Sequence, residues 1–125
     1  MPNKILVIDD NNEVRDMLHD LLRLKGYDVE TAETGSLGLE KLVSSSPDLI
    51  ICDIAMPEKD GFQVLKEVRE TPNHENVPFI FLTASMIRSE EQQIINTSAN
   101  GYLMKPYESR KLFSMLDVLL KKDDK

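Results

Sequence analysis

The chain has 125 residues, enough for one domain with a full core but short for two. Fifteen Lys and Arg against 22 Asp and Glu leave a formal charge of −7, so the chain is ill suited to coating a phosphate backbone or anionic lipid. No apolar run approaches the length of a bilayer span, Met1-Pro2-Asn3-Lys4 shows no secretory pattern, and Cys52 has no second cysteine to pair with. A soluble, cytoplasmic single domain over 1–125 is the expectation, with no membrane or nucleic-acid partner for it.

In chain order, Ile5-Leu6-Val7-Ile8 is a short apolar run of the kind that fills a strand covered on both faces of a parallel sheet. Val14, Met17, Leu18, Leu21 and Leu22 then recur at helical spacing, and Gly26 supplies a stop. Val29 to Ala32 is mixed with polar residues and predicts an edge strand. The stretch Gly35-Ser36-Leu37-Gly38 sits at a helix start and reads as a turn, and Leu39, Leu42 and Val43 anchor a helix that ends before Pro47. Leu49-Ile50-Ile51-Cys52 predicts a third, buried strand. Phe62, Leu65 and Val68 anchor a third helix that ends before Pro72.

Phe79-Ile80-Phe81-Leu82 predicts the fourth strand. The helix after it, about 87–97, carries Arg88-Ser89-Glu90-Glu91-Gln92-Gln93 in its middle and only Ile87, Ile94 and Ile95 as anchors. So few apolar groups predict a low local opening free energy. Gly101 to Met104 predicts a second edge strand, and Leu112, Leu116, Leu119 and Leu120 stripe the last helix. The polar tail 121–125 is expected to fray. Five strand–helix units in a row, with right-handed crossovers, predict an α/β doubly wound five-stranded parallel sheet.

In such sheets the site lies beyond the carboxyl ends of the strands. Strand one runs into Asp9-Asp10, strand three into Asp53, strand four into Thr83 and strand five into Lys105. Two like charges about 4 Å apart repel by roughly 4 kcal/mol at an effective dielectric near 20, so three clustered carboxylates call for cations or a raised pKa. Lys105 offsets one charge. An oxygen-rich site with few protein ligands suits Mg²⁺, with Mn²⁺ a possible substitute. Asp9-Asp10-Asn11-Asn12 replaces the glycines of a dinucleotide turn, and seven aromatics with no Trp leave little to stack on a flavin. What remains is phosphoryl chemistry on a carboxylate nucleophile.

Four pieces in order, Ile8-Asp9-Asp10, Asp53-Ile54-Ala55-Met56-Pro57 with Asp60-Gly61, Leu82-Thr83-Ala84, and Gly101 to Pro106, resemble the receiver domain of two-component response regulators over almost the whole chain. The resemblance implies a (βα)5 flavodoxin-like fold with strand order 2-1-3-4-5. It implies Asp53 as phosphoacceptor for a sensor histidine kinase or histidine phosphotransfer protein. Mg²⁺ would be held by Asp10, Asp53 and the carbonyl of Ala55, with Asp9 acting mainly through a bound water. Lys105 would pair with the acceptor, Thr83 would turn to the phosphoryl group, and Tyr102 would rotate inward, changing the surface of helix four, strand five and helix five. Lys105-Pro106 would be a cis peptide. Only self-phosphorylation and self-hydrolysis are implied, so no enzyme in the ordinary sense.

Beside these stand plainer readings: Asn11 or Asn12 as a helix cap, Thr83 as a strand-end hydroxyl, Tyr102 as core packing, Cys52 as inert filling, and His19 and His74 as solvated. Asn100-Gly101 and Arg110-Lys111 stand where family members with the symmetric winged-helix dimer carry Asp-Asp and Glu-Leu, which argues against that class. An alternative function is a Mg²⁺-dependent phosphohydrolase, but Asp53-Ile54-Ala55 lacks the second acid of the haloacid-dehalogenase pattern. A flavodoxin-like carrier would declare itself by colour. The downstream target, or an output domain in a longer regulator, is unspecified by these residues.

Overall fold

The computed structural model describes residues 3–105 and 108–120. Five strands alternate with five helices: β1 Lys4–Ile8, α1 Asn12–Leu24, β2 Asp28–Ala32, α2 Gly35–Ser45, β3 Leu49–Asp53, α3 Gly61–Arg69, β4 Phe79–Thr83, α4 Ser89–Ser98, β5 Gly101–Met104 and α5 Ser109–Leu119. The strands are parallel in the order β2-β1-β3-β4-β5, so the two mixed runs do lie at the edges. β3 and β4 are buried along their whole length.

Alternation along each strand sends side chains to two separate cores. Leu6, Ile8, Ile50, Cys52, Phe79 and Phe81 pack against α2, α3 and α4. Ile5, Val7, Leu49, Ile51, Ile80 and Leu82 pack against α1 and α5, chiefly on Leu18, Leu22, Leu112 and Leu116. Each such side chain is worth roughly 1.5–3 kcal/mol when fully buried, which is why continuous apolar runs select the two-faced strands.

Local chemistry sets the helix starts. Asn11 caps α1 by accepting from the Val14 amide at 3.1 Å, and Thr34 caps α2 through the Leu37 amide at 3.0 Å. Asp60 and Gln63 form a reciprocal capping box on α3. The Gly35–Gly38 stretch is therefore the first turn of α2 and not a separate turn. It is helical because Thr34 caps it, and its glycines let the backbone come close: a Cβ on Gly38 would lie 2.4 Å from Ile8 Cδ1.

Three expected anchors face outward. Met17 is 50% exposed, Val43 64% and Ile94 41%. Helical spacing gives a stripe about two residues wide, while the sheet covers a narrower band, so the flanking member of each stripe is left in solvent.

Helix α4 is fastened almost entirely at one end. Ile95 is its one buried residue. At its C-terminus, Arg69 of α3 donates from Nε to the Ser98 carbonyl at 2.8 Å and from a terminal nitrogen to the Val77 carbonyl at 2.7 Å. Asn100 then exchanges two 2.8 Å bonds with the backbone of Phe79. At the N-terminal end Glu91 bonds the Arg88 amide and guanidinium in solvent. Arg69→Ala should cost about 1–3 kcal/mol, since it strands two carbonyls that a charged donor now satisfies. A urea midpoint that moves by less than the error of the fit would refute this.

Candidate functional site

The carboxyl ends of β1, β3, β4 and β5 meet at one edge because the parallel registers align them. Asp53 lies opposite Leu82 in β4, and Thr83 lies opposite Met104 in β5. The Asp9 amide adds one more rung to β2 through the Ala32 carbonyl, 3.1 Å away. The Lys105 amide does the same to the Thr83 carbonyl at 2.7 Å. Asp9 and Lys105, 96 residues apart, are thereby held side by side.

Asp9 is fully buried and Asp53 nearly so, while Asp10 is exposed. One carboxylate oxygen from each lies within 4.8 Å of the others. Lys105 Nζ sits 3.2 Å from Asp9 Oδ2 and 3.5 Å from Asp53 Oδ1, so the ammonium is shared and closer to Asp9 than to the expected acceptor. Asp9 Oδ1 accepts from the Asn11 amide at 2.9 Å, which engages both oxygens of Asp9. Burial first, and then the neighbouring Asp9, raises the Asp53 pKa to about 6 against the partial relief from Lys105.

Three carboxylates against one ammonium leave two formal negative charges, the amount one divalent cation neutralises. The cluster could hold a metal ion, and its all-oxygen donor set fits a hard cation. Residues 5–117 match the family described as "Response regulator receiver domain".

The chain belongs to this family of receiver domains.

The receiver domain is 35% identical over 122 residues to the response regulator MprA of Mycolicibacterium vanbaalenii, a match covering 98% of this chain and 52% of that protein. The chain thus spans about half the length of the first curated relatives it matches. Among solved structures, the Vibrio cholerae chemotaxis protein CheY4 superposes with a TM-score of 0.88 at 32% identity, covering 95% of this chain and 99% of that one. A structure named as a response regulator from Chloroflexus aurantiacus gives 0.89 at 34%, covering 98% and 100%. The flavodoxin-like architecture and its strand order agree with these neighbours.

Within the receiver domain, Thr83 is buried at the end of β4, but its hydroxyl is spent locally. It donates to the Ser85 carbonyl at 3.0 Å and accepts from the Ser85 amide at 3.1 Å. Tyr102 is half-buried beside the α4-side core, next to Phe81 in register. Ala55 and Ser85, two residues past Asp53 and Thr83, are exposed. Cys52 is buried, and burial followed by the charge of Asp53 pushes its thiol well above the usual range, which keeps it neutral. His19 touches only Asp20 in the side-chain bonds of the described residues. The cis peptide expected at Lys105-Pro106 and the frayed tail at 121–125 lie outside the described residues.

Two residues of the site escaped the sequence reading. Gly61 was visible as part of a motif but its reason was not: a Cβ there would lie 2.5 Å from the carbonyl oxygen of Asp53 and 2.9 Å from Ile54 Cα. Arg15 gave no signal at all, because a single basic residue one turn into a helix is ordinary. Its guanidinium nevertheless folds back onto the Asp9 carbonyl at 2.7 Å.

Proposed function

We propose that Asp53 is the phosphoacceptor of this receiver domain and that Mg²⁺ is the ion its acidic edge holds. The observation that carries the reading is a nearly buried carboxylate at the end of β3, in reach of one ammonium and two further carboxylates. Asp10 and Asp53 have oxygens left over for direct ligation, whereas both oxygens of Asp9 are already engaged, which supports an indirect role for Asp9. The Ala55 carbonyl is the further oxygen assigned to the ion. Bound there, Mg²⁺ supplies neutralisation of phosphoryl oxygens; Mn²⁺ is chemically equivalent for this purpose.

Receiver domains work with histidine kinase or phosphotransfer partners. A carboxylate oxygen of Asp53 attacks the phosphorus of a phosphohistidine; the new P–O bond forms as the P–N bond breaks, and the imidazole nitrogen leaves to take a proton. Lys105 holds the carboxylate in line and then meets the phosphoryl charge. Turnover stops at self-phosphorylation and self-hydrolysis, so the module is a switch and not an enzyme in the ordinary sense.

For output, Thr83 gives up its Ser85 bonds to donate to a phosphoryl oxygen, and Tyr102 moves into the space released. A cleft of about 440 Å³ between α4, β5 and α5, lined by Gln92, Ile95, Tyr102 and Met115, supports this reading by leaving that surface room to repack. The switched surface addresses a protein target or an output domain, with no nucleic-acid or membrane contact of its own. No helix among the described residues is long and apolar enough to cross a membrane, and a cytoplasmic place of action fits the free, buried Cys52.

Intact-mass spectrometry after incubation with acetyl phosphate or phosphoramidate and Mg²⁺ tests the reading. One phosphoryl group, dependent on Mg²⁺ and absent in Asp53→Asn, is expected. Uptake that survives in Asp53→Asn, or no uptake from either donor, overturns it. For the switch, amide exchange in α4 should accelerate or slow when a phosphoryl analogue is bound; identical protection in both states would sink the proposed movement.

A further inference from the structure

We infer that Arg15 is a positioning residue for the metal-side carboxylates: it bolts the Asp9–Asp10 peptide in place, and so aims Asp10 at the ion. The inference rests on the reading of Asp9, Asp10 and Asp53 as the Mg²⁺ edge. Its basis is an asymmetry between the two acids. Asp9 is held at its amide by Ala32, at Oδ1 by the Asn11 amide, at Oδ2 by Lys105 and at its carbonyl by Arg15. Asp10 is exposed, and its direction follows from the backbone that carries it.

That backbone leaves β1 and must turn into α1 within three residues. The Asp9 carbonyl belongs to the peptide that joins Asp9 to Asp10, so the 2.7 Å bond from the Arg15 guanidinium fixes the plane from which the Asp10 side chain departs. The guanidinium is anchored on other sides as well. Its second terminal nitrogen bonds Asn12 Oδ1 and lies 3.7 Å from Glu33 Oε1 in the β2–α2 loop. The side chain is only 13% exposed. A flat fork of donors with three partners on three segments is what makes Arg, and not a single-headed Lys, suited to the place.

The charge of Arg15 and its geometry predict opposite effects, which makes the role separable. A positive charge beside an acidic cluster opposes cation binding, so simple loss of that charge would tighten Mg²⁺. Loss of a support behind the ligands weakens it, typically by 10–100-fold for outer-shell partners.

The test titrates Mg²⁺ alone into wild type, Arg15→Gln and Arg15→Lys by calorimetry, with free Mn²⁺ followed by paramagnetic resonance as a check. Thermal unfolding of each metal-free variant establishes that it is folded. Arg15→Gln should bind about 10-fold more weakly, with Arg15→Lys between it and wild type, since it keeps charge and one donor. Amide exchange at Asp10 and Asn11 should rise in metal-free Arg15→Gln while core strand amides hold.

Unchanged or tighter binding in folded Arg15→Gln overturns the inference while leaving the metal edge intact. If wild type itself binds no Mg²⁺, the metal reading fails and Arg15 loses its role toward the ion with it. A variant too unstable to titrate still reports through Arg15→Lys, where wild-type affinity and wild-type exchange at Asn11 together would overturn the inference.

Discussion

Replacing Asp53 by Asn should raise the thermal midpoint of the metal-free receiver domain by about 5–10 °C near pH 7.5, while removing phosphoryl uptake. The gain follows from where the carboxylate sits. Burial and the charge of Asp9 lift its pKa from 3.8 to about 6, so the folded chain keeps a proton that the unfolded chain has lost. Between those values the folded state binds more protons, and stability therefore falls as pH rises. The penalty is absent below about pH 4 and complete once pH passes about 6. At about 1.4 kcal/mol per pH unit, discounted for the solvent contact the site keeps, it amounts to about 2 kcal/mol.

Asn keeps the shape of the side chain and removes the charge. The difference in melting temperature between wild type and Asp53→Asn should thus shrink as pH falls from 7.5 towards 4.5, and Mg²⁺ should narrow it at neutral pH by stabilising wild type more. A variant that melts below wild type at neutral pH without metal would overturn this account of the acidic edge. Phosphoryl uptake by wild type should fall over the same range, because a protonated acceptor is a poor nucleophile.

Gly61→Ala should destabilise the fold by about 3 kcal/mol, near the upper end for overpacking, and slow phosphorylation as well. A methyl group there would meet the Asp53 carbonyl oxygen at 2.5 Å, Ile54 Cα at 2.9 Å and the Phe81 ring at 3.0 Å. Two of these are backbone atoms of the strand end that carries Asp53, so relief must move Asp53 itself. The Gly61 amide also donates to the Ile54 carbonyl at 2.8 Å, closing the β3–α3 loop onto that same strand end. Gly26→Ala is the control. Gly26 sits at φ +99° with nothing within 4 Å of an added Cβ, and its substitution should cost about 1 kcal/mol through backbone strain alone. Equal urea midpoints for the two variants would show that crowding at Asp53 is not what Gly61 avoids.

The fold was legible because its strongest determinants are local in sequence. A strand covered on both faces must be apolar along its covered length, and β1, β3 and β4 each carry four consecutive apolar residues, Ile5–Ile8, Leu49–Cys52 and Phe79–Leu82; the polar admixture in Val29–Ala32 and Gly101–Met104 marks strands with one open side. The sparse apolar content of α4 likewise showed in its sequence, and the structure buries only Ile95 there. Helical stripes were less exact. Met17, Val43 and Ile94 fit the spacing yet face solvent, because how wide a band the sheet covers is settled by packing and not by the helix.

For the site, the sequence by itself determined which groups stand at the strand ends: Asp9, Asp10, Asp53, Thr83 and Lys105, each placed by the end of a predicted strand. Only the tertiary structure decided how they share one another. It put Lys105 nearer Asp9 than Asp53, spent the Thr83 hydroxyl on Ser85, occupied both oxygens of Asp9 and folded Arg15 back onto the turn. The reason is physical. A strand's burial is written in its own residues, one after another. A hydrogen bond between Lys105 and Asp9 depends on the register of three intervening strand pairings, β1 on β3, β3 on β4 and β4 on β5, and on side-chain rotamers that no single segment specifies.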